Sequence, residues 1–236
     1  MHAFILCGFL HIERYIMRKI KVKAKPKMVK FYKNHPTEMT LSSIIKILKN
    51  KNVSVGDKVV FPLLNKNEIT MTVADILGDD VVLVSEDIFF FGGMNFTNTN
   101  RGGWRDCEMR KTLFDEVLSQ FPDELNAAIK PRTIIQQMDG EEFTSEDKLW
   151  IPSFTEIFGH NGYKASLMKE LDFKDRQFEY YKSRKNRIKS NIDGQLAPWW
   201  LRSVYYSDYF YSVDSLGYYN YYYPYSAIGV VFGFVI

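Results

Sequence analysis

The sequence predicts an α+β fold with short antiparallel strands, two or more helices and much irregular loop. Short β-type runs bounded by turn residues recur along the chain, as at Val53–Phe61 and Glu68–Ile88. Helical patterns occupy only brief segments between them, at Thr40–Asn50 and near Asp106. The 236 residues, 46% hydrophobic and 25% charged, are enough for one large domain or one domain with an appendage.

The first segment, residues 1–52, is predicted to be a basic N-terminal extension with a short helix. Residues 14–33 hold nine Lys or Arg, and residues 18–30 alternate basic and apolar side chains. That alternation is typical of an edge strand with a charged outer face, and equally of a basic tail. The apolar residues 3–10 are too few to span a membrane and no basic region precedes them, so we expect neither a transmembrane segment nor a signal peptide. Met17 is an alternative start.

Four short helices are predicted from caps and apolar spacing. The first covers Thr40–Asn50, with Thr40 or Ser42 as its cap. The third begins at Pro122, and a capping box at Ser153–Glu156 begins the fourth. The second opens near Asp106 and has these residues on one apolar side: Met109, Leu113, Phe114, Val117 and Leu118.

The predicted strands lie between these helices. Glu68–Ile88 reads as a hairpin around a Gly-Asp-Asp turn, and Phe89–Phe91 ends this β unit before the polar loop Asn95–Gly103. Arg132–Gln137 is a further strand, and Lys148–Pro152 is a short strand ended by proline. Residues 161–198 are charged and loop-like, and several short strands follow to the C-terminus.

The C-terminal stretch, residues 199–236, has an unusual composition. It holds ten of the fifteen tyrosines, no Lys, His or Cys, and only three charged residues, Arg202, Asp208 and Asp214. Between Tyr205 and Tyr225 nearly every residue is Tyr, Ser, Asp, Asn, Phe, Gly, Val or Leu. A core does not favour so many phenols, since each buried hydroxyl needs a partner, and a disordered tail does not favour so much aromatic surface.

Binding surfaces use these residue types, because Tyr gives rigid contact area at low entropy cost while Ser, Asn and Gly adapt their hydrogen bonds. We therefore predict a ligand-binding surface. A tyrosine-rich sheet with ordinary half-exposed faces is the alternative, and strand alternation should turn some side chains inward. The predicted ligand-contacting residues are Tyr205, Tyr206, Asp208, Tyr209, Tyr211, Asp214, Tyr218, Tyr219, Asn220, Tyr221, Tyr222 and Tyr223. The predicted scaffold residues behind them are Trp199, Trp200, Arg202, Gly217, Gly229 and Phe234.

The sequence does not indicate an enzyme. The four histidines lack metal-ligand spacing, and Cys7 and Cys107 form neither a disulfide framework nor a zinc site. His160 could serve a catalytic dyad, but no activated Ser or Cys motif accompanies it. Asp208 and Asp214 are too few for a calcium cage. We expect no catalytic residue, no metal and no cofactor.

Two basic runs offer a rival surface, residues 14–33 and residues 182–189. Such runs could touch nucleic acid, but they are more often solvated, and we expect no nucleic-acid partner. The expected partner is a protein or a surface glycan. The sequence leaves open the ligand's identity, the oligomeric state and a location on a phage particle or in the cytoplasm.

Six motifs follow one another along the chain. They are G-D-x-V-x-F at Gly56–Phe61, W-R-x-C-x-x-R-x-x-L at Trp104–Leu113, K-L-W-I-P-S-x-x-E at Lys148–Glu156, W-W-L-R-S at Trp199–Ser203, V-x-x-x-G at Val213–Gly217 and G-V-V-F-G-F at Gly229–Phe234. With this ordered set, residues 53–236 resemble a family of domains of unknown function, common in bacterial and phage genomes. The resemblance implies a C-type-lectin-like fold akin to the formylglycine-generating-enzyme type, with a ligand-binding domain over 53–236 and a variable region at about 199–236.

The chain also resembles the variable proteins of diversity-generating retroelements. In those systems adenines of a template repeat are miscopied, so that AAY codons for Asn become codons for Tyr, Ser, Asp or Phe, which is the alphabet of residues 205–225. No Cys follows Cys107, so the oxidase activity of the enzyme branch is not carried over, and the sugar-binding motifs of calcium-dependent lectins are absent.

The resemblance implies a non-enzymatic receptor-recognition protein that displays a diversified, tyrosine-rich surface. Two other hypotheses stay open. One is a structural module of a phage particle or cell surface that uses the tyrosines as a fixed interface, since Tyr is also enriched there. The other is an enzyme of unknown chemistry on the same fold.

Overall fold

The structure is a computed structural model, and it describes residues 28–32, 36–138, 140–160, 175–205 and 208–236. Its helices and mainly antiparallel sheets give an α+β fold, as the sequence predicts. The strands are β1 Met28–Tyr32, β2 Pro36–Thr40, β3 Lys58–Pro62, β4 Glu68–Leu77, β5 Asp80–Ser85, β6 Phe90–Gly92, β7 Arg132–Met138, β8 Glu141–Asp147, β9 Trp199–Tyr205, β10 Tyr209–Val213, β11 Tyr219–Tyr222, β12 Ile228–Val230 and β13 Gly233–Val235. The α-helices are α1 Leu41–Lys49, α2 Gly103–Asp106, α3 Glu108–Thr112, α4 Asp123–Ala128 and α5 Phe154–Phe158.

The larger sheet has six strands in the order β13-β5-β4-β3-β1-β2. Strand β1 pairs with β3, where Phe31 lies opposite Val59. Helix α1 buries Ile44 and Leu48 in the same hydrophobic core. Strands β1 and β2 and helix α1, which the sequence assigned to an N-terminal extension, therefore share one sheet and one core with the domain that follows.

The smaller sheet has five strands in the order β11-β10-β9-β12-β6, with β11 at one edge. Strand β9 joins β12 by a parallel contact between Trp199 and Gly229. Three residues later the chain enters the larger sheet as β13, where Phe234 packs against Phe61 and Phe121 with ring centroids 5.9 and 5.8 Å away. The apolar C-terminal segment thus ties the two sheets to one core.

Several predicted elements are confirmed. Thr40 caps α1 by accepting a hydrogen bond from the Ser43 amide. The capping box of Ser153 and Glu156 begins α5, with both reciprocal hydrogen bonds formed. Both caps are local signals, and they do not depend on the rest of the fold.

Two predictions are wrong. Phe114 is 67% exposed rather than inward, because the chain widens into a π-helical turn at Leu113–Val117 and the helical spacing no longer applies. The strand predicted at Lys148–Pro152 is reduced to a bridge between Trp150 and Gly233. The regular strand in this region is β8, which ends at Asp147 and pairs with β7. Its charged sequence did not indicate a strand. The alternating residues 18–27 and the loop residues 161–174 lie outside the described residues.

Candidate tyrosine-rich binding site

Three neighbouring strands, β9, β10 and β11, carry the tyrosine stretch. Tyr211 of β10 lies opposite Tyr221 of β11, and Tyr209 lies opposite Tyr205 of β9. Because side chains alternate along a strand, Tyr219, Tyr221 and Tyr223 point to the same side. The sheet therefore gathers tyrosines from three strands on one side.

The rings on that side contact one another in a continuous row. Tyr205 stacks on Tyr221 with centroids 4.3 Å apart, and Tyr221 meets Tyr209 edge-on at 5.1 Å. Tyr209 then packs on Tyr223 at 4.4 Å, and Tyr223 stacks on Tyr225 at 5.6 Å. Offset-stacked and edge-to-face geometries are the favourable arrangements for aromatic pairs, so the rings support one another. We call the rings of this row, together with Tyr219 on the same side of the sheet, the tyrosine face. Its members are Tyr205, Tyr209, Tyr219, Tyr221, Tyr223 and Tyr225.

The outer members of the face are open to solvent. The outer members are Tyr219, Tyr221, Tyr223 and Tyr225, and each is at least 40% exposed. Tyr219 rests at its base against Phe154 and Phe158, each with a centroid 6.1 Å away. A hydrogen bond to Tyr223 raises the pKa of Tyr209 to about 12, so the Tyr209 hydroxyl stays protonated at neutral pH. All six residues of the face are tyrosines, so it contains no Lys, Arg, Asp or Glu of its own.

Tyr211 is a correction to the predicted contact set, because it is fully buried. Its ring packs between Phe154 at 4.7 Å and Tyr205 at 4.9 Å. It lies on the same side of the sheet as Tyr221, its partner across the strands, beneath the exposed rings. Tyr211 is a support for the face, since a surface ligand cannot reach it.

Tyr222 and Asn220 are a second correction, because they alternate to the other side of β11. The half-buried Tyr222 packs edge-on against Trp200 with centroids 6.3 Å apart. The Asn220 side chain accepts a hydrogen bond from the Tyr221 amide over 2.9 Å. These two residues therefore belong to the sheet's support rather than to the tyrosine face.

The turn between β10 and β11 has a local structural cause. One carboxylate oxygen of Asp214 accepts from the amides of Leu216 and Tyr218, over 2.9 and 2.8 Å. Gly217 has φ +80°, and a Cβ there would lie 2.8 Å from the Arg184 carbonyl oxygen. Asp214 thus holds the turn, and its predicted contact with a ligand stays a prediction. Tyr218 is 51% exposed and lies 4.7 Å from the Arg184 guanidinium, beside the face.

Asp208 lies just before β10 and is exposed, in reach of an approaching molecule. Tyr206 lies outside the described residues.

The predicted scaffold residues are all buried. The indole of Trp199 donates to the Arg187 carbonyl at 2.9 Å, and that of Trp200 donates to the Gly92 carbonyl at 2.8 Å. Gly229 allows a close approach, since a Cβ there would lie 2.6 Å from Ile88. The two tryptophans therefore satisfy their polar atoms while filling core space on the two sides of β9.

Arg202 anchors a buried ion network. Its guanidinium donates to Glu156 at 2.7 Å and to Asp175, and Arg132 pairs with Asp175 at 3.0 Å and with Glu156. Burial alone would raise the pKa of Glu156, but Arg132 and Arg202 outweigh it and hold that pKa below its usual value. This network fixes α5, and with it Phe154 and Phe158, beneath the tyrosine face.

The loop between β6 and α2 is a neighbour that sequence reasoning did not connect to the site. The Asn100 side chain donates to the carbonyls of Tyr205 and Tyr209, over 3.3 and 3.1 Å. The backbone amide of Asn95 donates to the Pro224 carbonyl at 3.1 Å. A row of side-chain amides in a loop was the available signal, but sequence alone does not say which backbone they bind.

Three further site residues were missed. Tyr225 is the last ring of the row. It belongs to the same tyrosine-rich run, but the predicted set ended at Tyr223. Phe154 and Phe158 support Tyr211 and Tyr219, and their spacing of one helical turn was the signal for a shared face.

Two reactive groups outside the face are buried. Burial raises the pKa of the Cys107 thiol to about 12, so little thiolate exists at neutral pH. Burial also lowers the pKa of Lys189 to about 8, while its ammonium donates to the Ser85 and Glu86 carbonyls. Within the described ranges, no three His, Cys, Asp or Glu side chains are grouped so as to hold a metal ion.

None of the helices in the described part of the chain has the length and apolar character needed to cross a bilayer. Comparison with curated proteins and with solved structures gives no match. A family described as "Domain of unknown function (DUF6273)" matches residues 79–231, which include all of the tyrosine face.

Proposed function

The chain belongs to the DUF6273 family of domains of unknown function, and from its site we propose that it is a non-enzymatic recognition protein. In this proposal the tyrosine face binds a macromolecular ligand, a protein or a surface glycan. The fold that carries it is C-type-lectin-like, and the chain is a variable protein of a diversity-generating retroelement.

One observation carries the proposal: a row of touching, solvent-exposed tyrosines lies over a fully buried scaffold. Trp199, Trp200 and Phe234 are completely buried, whereas Tyr219 and Tyr221 are exposed. Rings that already contact one another lose little freedom when a ligand arrives, and preorganisation of this kind favours affinity. Exchange of an exposed ring leaves the buried scaffold in place, which is what a diversified surface requires.

Neutral phenols also set the kind of binding. The face has no Lys or Arg of its own, so contact would come from stacking, shape and hydroxyl hydrogen bonds. The buried Arg202 and the partly exposed Arg132 are already paired with Glu156 and Asp175. We therefore assign the chain no catalytic role, and we assign recognition to the tyrosine face.

The diversification part is tested by sequencing the gene and its flanks. We expect a near-copy of the 3′ end beside a reverse-transcriptase gene, with differences confined to adenines of the copy. The differing codons should include those for Tyr219, Tyr221 and Tyr223, and should exclude those for Trp200 and Phe234. Absence of a near-copy, or differences spread equally over scaffold codons, would reject this part of the proposal.

The binding part is tested separately by selecting random peptides displayed on phage against the wild-type chain. The selected peptides should bind the Tyr219→Ala/Tyr221→Ala variant at least about tenfold more weakly, as expected when anchor residues are lost. Phe114→Ala is the matched control, because Phe114 is an exposed aromatic residue outside the tyrosine face. Peptides that bind all three proteins equally would reject the face as the binding site.

A further inference from the structure

The loop residues 95–100 have the sequence NFTNTN, made only of Asn, Phe and Thr. Phe96 is 87% exposed there, the most open of the exposed phenylalanines and tyrosines in the described ranges. A phenyl ring has no polar group that water could satisfy, so this exposure leaves apolar area available to a partner. We call residues 95–100 the NFTNTN loop.

The NFTNTN loop is held at both ends, although its ring is exposed. The Asn95 side chain accepts from the Glu108 amide at 3.0 Å and donates to the Thr99 carbonyl. The Phe96 amide donates to the Glu108 carboxylate. Because the backbone that carries Phe96 is already fixed, docking of its ring costs little additional ordering.

The loop is also continuous with the tyrosine face. Asn100 donates to the backbone of Tyr205 and Tyr209, and the Asn95 amide donates to Pro224 beside Tyr225. Gly93 lies so close that a Cβ there would be 2.8 Å from the Pro224 carbonyl oxygen. The loop and the two ends of the tyrosine row are therefore fixed to one another.

We propose that the NFTNTN loop is the second half of the recognition surface, and that Phe96 is an apolar anchor for a protein partner. This inference rests on the proposed function. Tyr219 to Tyr223 alone cover about 13 Å of extended chain, and Tyr225 and the loop continue beyond them. A surface of that reach, with an aromatic anchor beside a row of phenols, fits a protein interface of about 800 Å² per partner with a central hot spot.

The partner's contact surface should be uncharged and should offer an apolar pocket to the Phe96 ring. The tyrosine face supplies neutral hydroxyls and the loop supplies side-chain amides and hydroxyls, all of which can both donate and accept hydrogen bonds. Unlike the diversified tyrosines, Phe96 lies outside residues 199–236 and would give every variant of the face the same anchor.

The test compares Phe96→Ala with Phe114→Ala and with Tyr219→Ala/Tyr221→Ala, using peptides selected by phage display on the wild-type chain as the probe. We expect the selected peptides to be rich in apolar and aromatic residues. They should lose at least about tenfold in affinity on Phe96→Ala and on the tyrosine pair, but not on Phe114→Ala. Both phenylalanines are exposed, so both single variants should keep the wild-type melting temperature.

Each other outcome has a defined meaning. Loss on the tyrosine pair without loss on Phe96→Ala overturns this inference and leaves the proposed function standing. Loss on neither variant rejects both the inference and the proposed function.

A glycan array tests the nature of the partner. If wild type and Phe96→Ala bind the array equally and the tyrosine pair does not bind, the partner is a glycan and the inference is overturned. Light scattering that shows a wild-type dimer which Phe96→Ala dissociates makes the partner a second copy, and also overturns it.

Discussion

Tyr205 and Tyr221 stack nearly parallel, with ring centroids 4.3 Å apart and planes 17° apart, although they come from strands that are not neighbours in the sheet. Strand β10 lies between theirs, and its Tyr211 is buried with its ring 4.9 Å from that of Tyr205. The exposed rings of the tyrosine face therefore close over a buried tyrosine. Because some tyrosines are buried supports and others are exposed, substitutions of neighbouring tyrosines should differ in their effect on the free energy of unfolding.

Substitution of the outer tyrosines should cost little stability. We expect Tyr219→Ser, Tyr223→Asn and Tyr225→Ser together to lower the free energy of unfolding by no more than about 1.5 kcal/mol, since surface changes are individually small. Trp200→Ala and Tyr211→Ala should each cost about 3–5 kcal/mol, because each leaves a cavity. Urea denaturation of the three proteins measures both. Equal losses from the outer and the buried sets would mean that the outer tyrosines are structural.

The Arg202 network should make part of the stability depend on acid pH. The pKa of Glu156 is lowered in the folded state, so its contribution is present above its unfolded value of about 4.5 and is lost as pH falls further. Glu156→Gln should cost about 3–5 kcal/mol at pH 7, because Arg132 and Arg202 lose a buried partner. The difference between wild type and variant should shrink below about pH 4.5. A difference that stays constant with pH would remove Glu156 as the titrating group.

The burial of Lys189 should make part of the stability depend on alkaline pH. Its pKa is lowered from 10.5 to about 8 in the folded state, so the unfolded chain binds more protons between these values. Wild-type stability should therefore rise from about pH 8 to about pH 10, relative to Lys189→Met, by on the order of 1–3 kcal/mol. Lys182→Met, at an exposed position, controls for the loss of one positive charge. Parallel stability curves for wild type and Lys189→Met would contradict the assigned pKa.

Local signals predicted much of the fold. The caps at Thr40 and Ser153 and the turn at Gly78 require only a few neighbouring residues, and the structure has all three elements. Helical spacing assumes 3.6 residues per turn, so it could not predict the wider π-helical turn that exposes Phe114. The pairing of β1 with β3 is non-local, and for that reason a composition change at Val53 resembled a domain boundary.

The site was predictable to a similar degree. Composition located the tyrosine stretch, and apolar character marked Trp199, Trp200 and Phe234 as buried. Composition could not separate Tyr211 and Tyr222 from their neighbours, because packing between Phe154 and Tyr205 buries Tyr211 and alternation along β11 turns Tyr222 to the other side. The contact of Asn100 with Tyr205 and Tyr209 spans more than a hundred residues, and only the folded chain brings these residues together.

Truncation tests the shared core. Removing residues 1–27 keeps every described strand and helix, so this product is the control, and we expect it to unfold cooperatively on heating. Removing residues 1–52 should unfold the chain or lower its melting temperature steeply, since it deletes Phe31, Ile44 and Leu48 from the core. Circular dichroism on heating distinguishes the two products. A stable product from the longer truncation would restore the boundary predicted at Val53.

The most direct test of the central claim is to measure the affinity of the selected peptides at low and at moderate salt. The proteins compared are wild type, residues 28–236 and Tyr219→Ala/Tyr221→Ala. Binding by neutral phenols should change little with salt, whereas binding by the basic runs should fall steeply as salt rises. We predict weak salt dependence, unchanged affinity for residues 28–236, and at least about a tenfold loss for the tyrosine pair. Steep salt dependence, with loss on truncation and none on the tyrosine pair, would contradict the account.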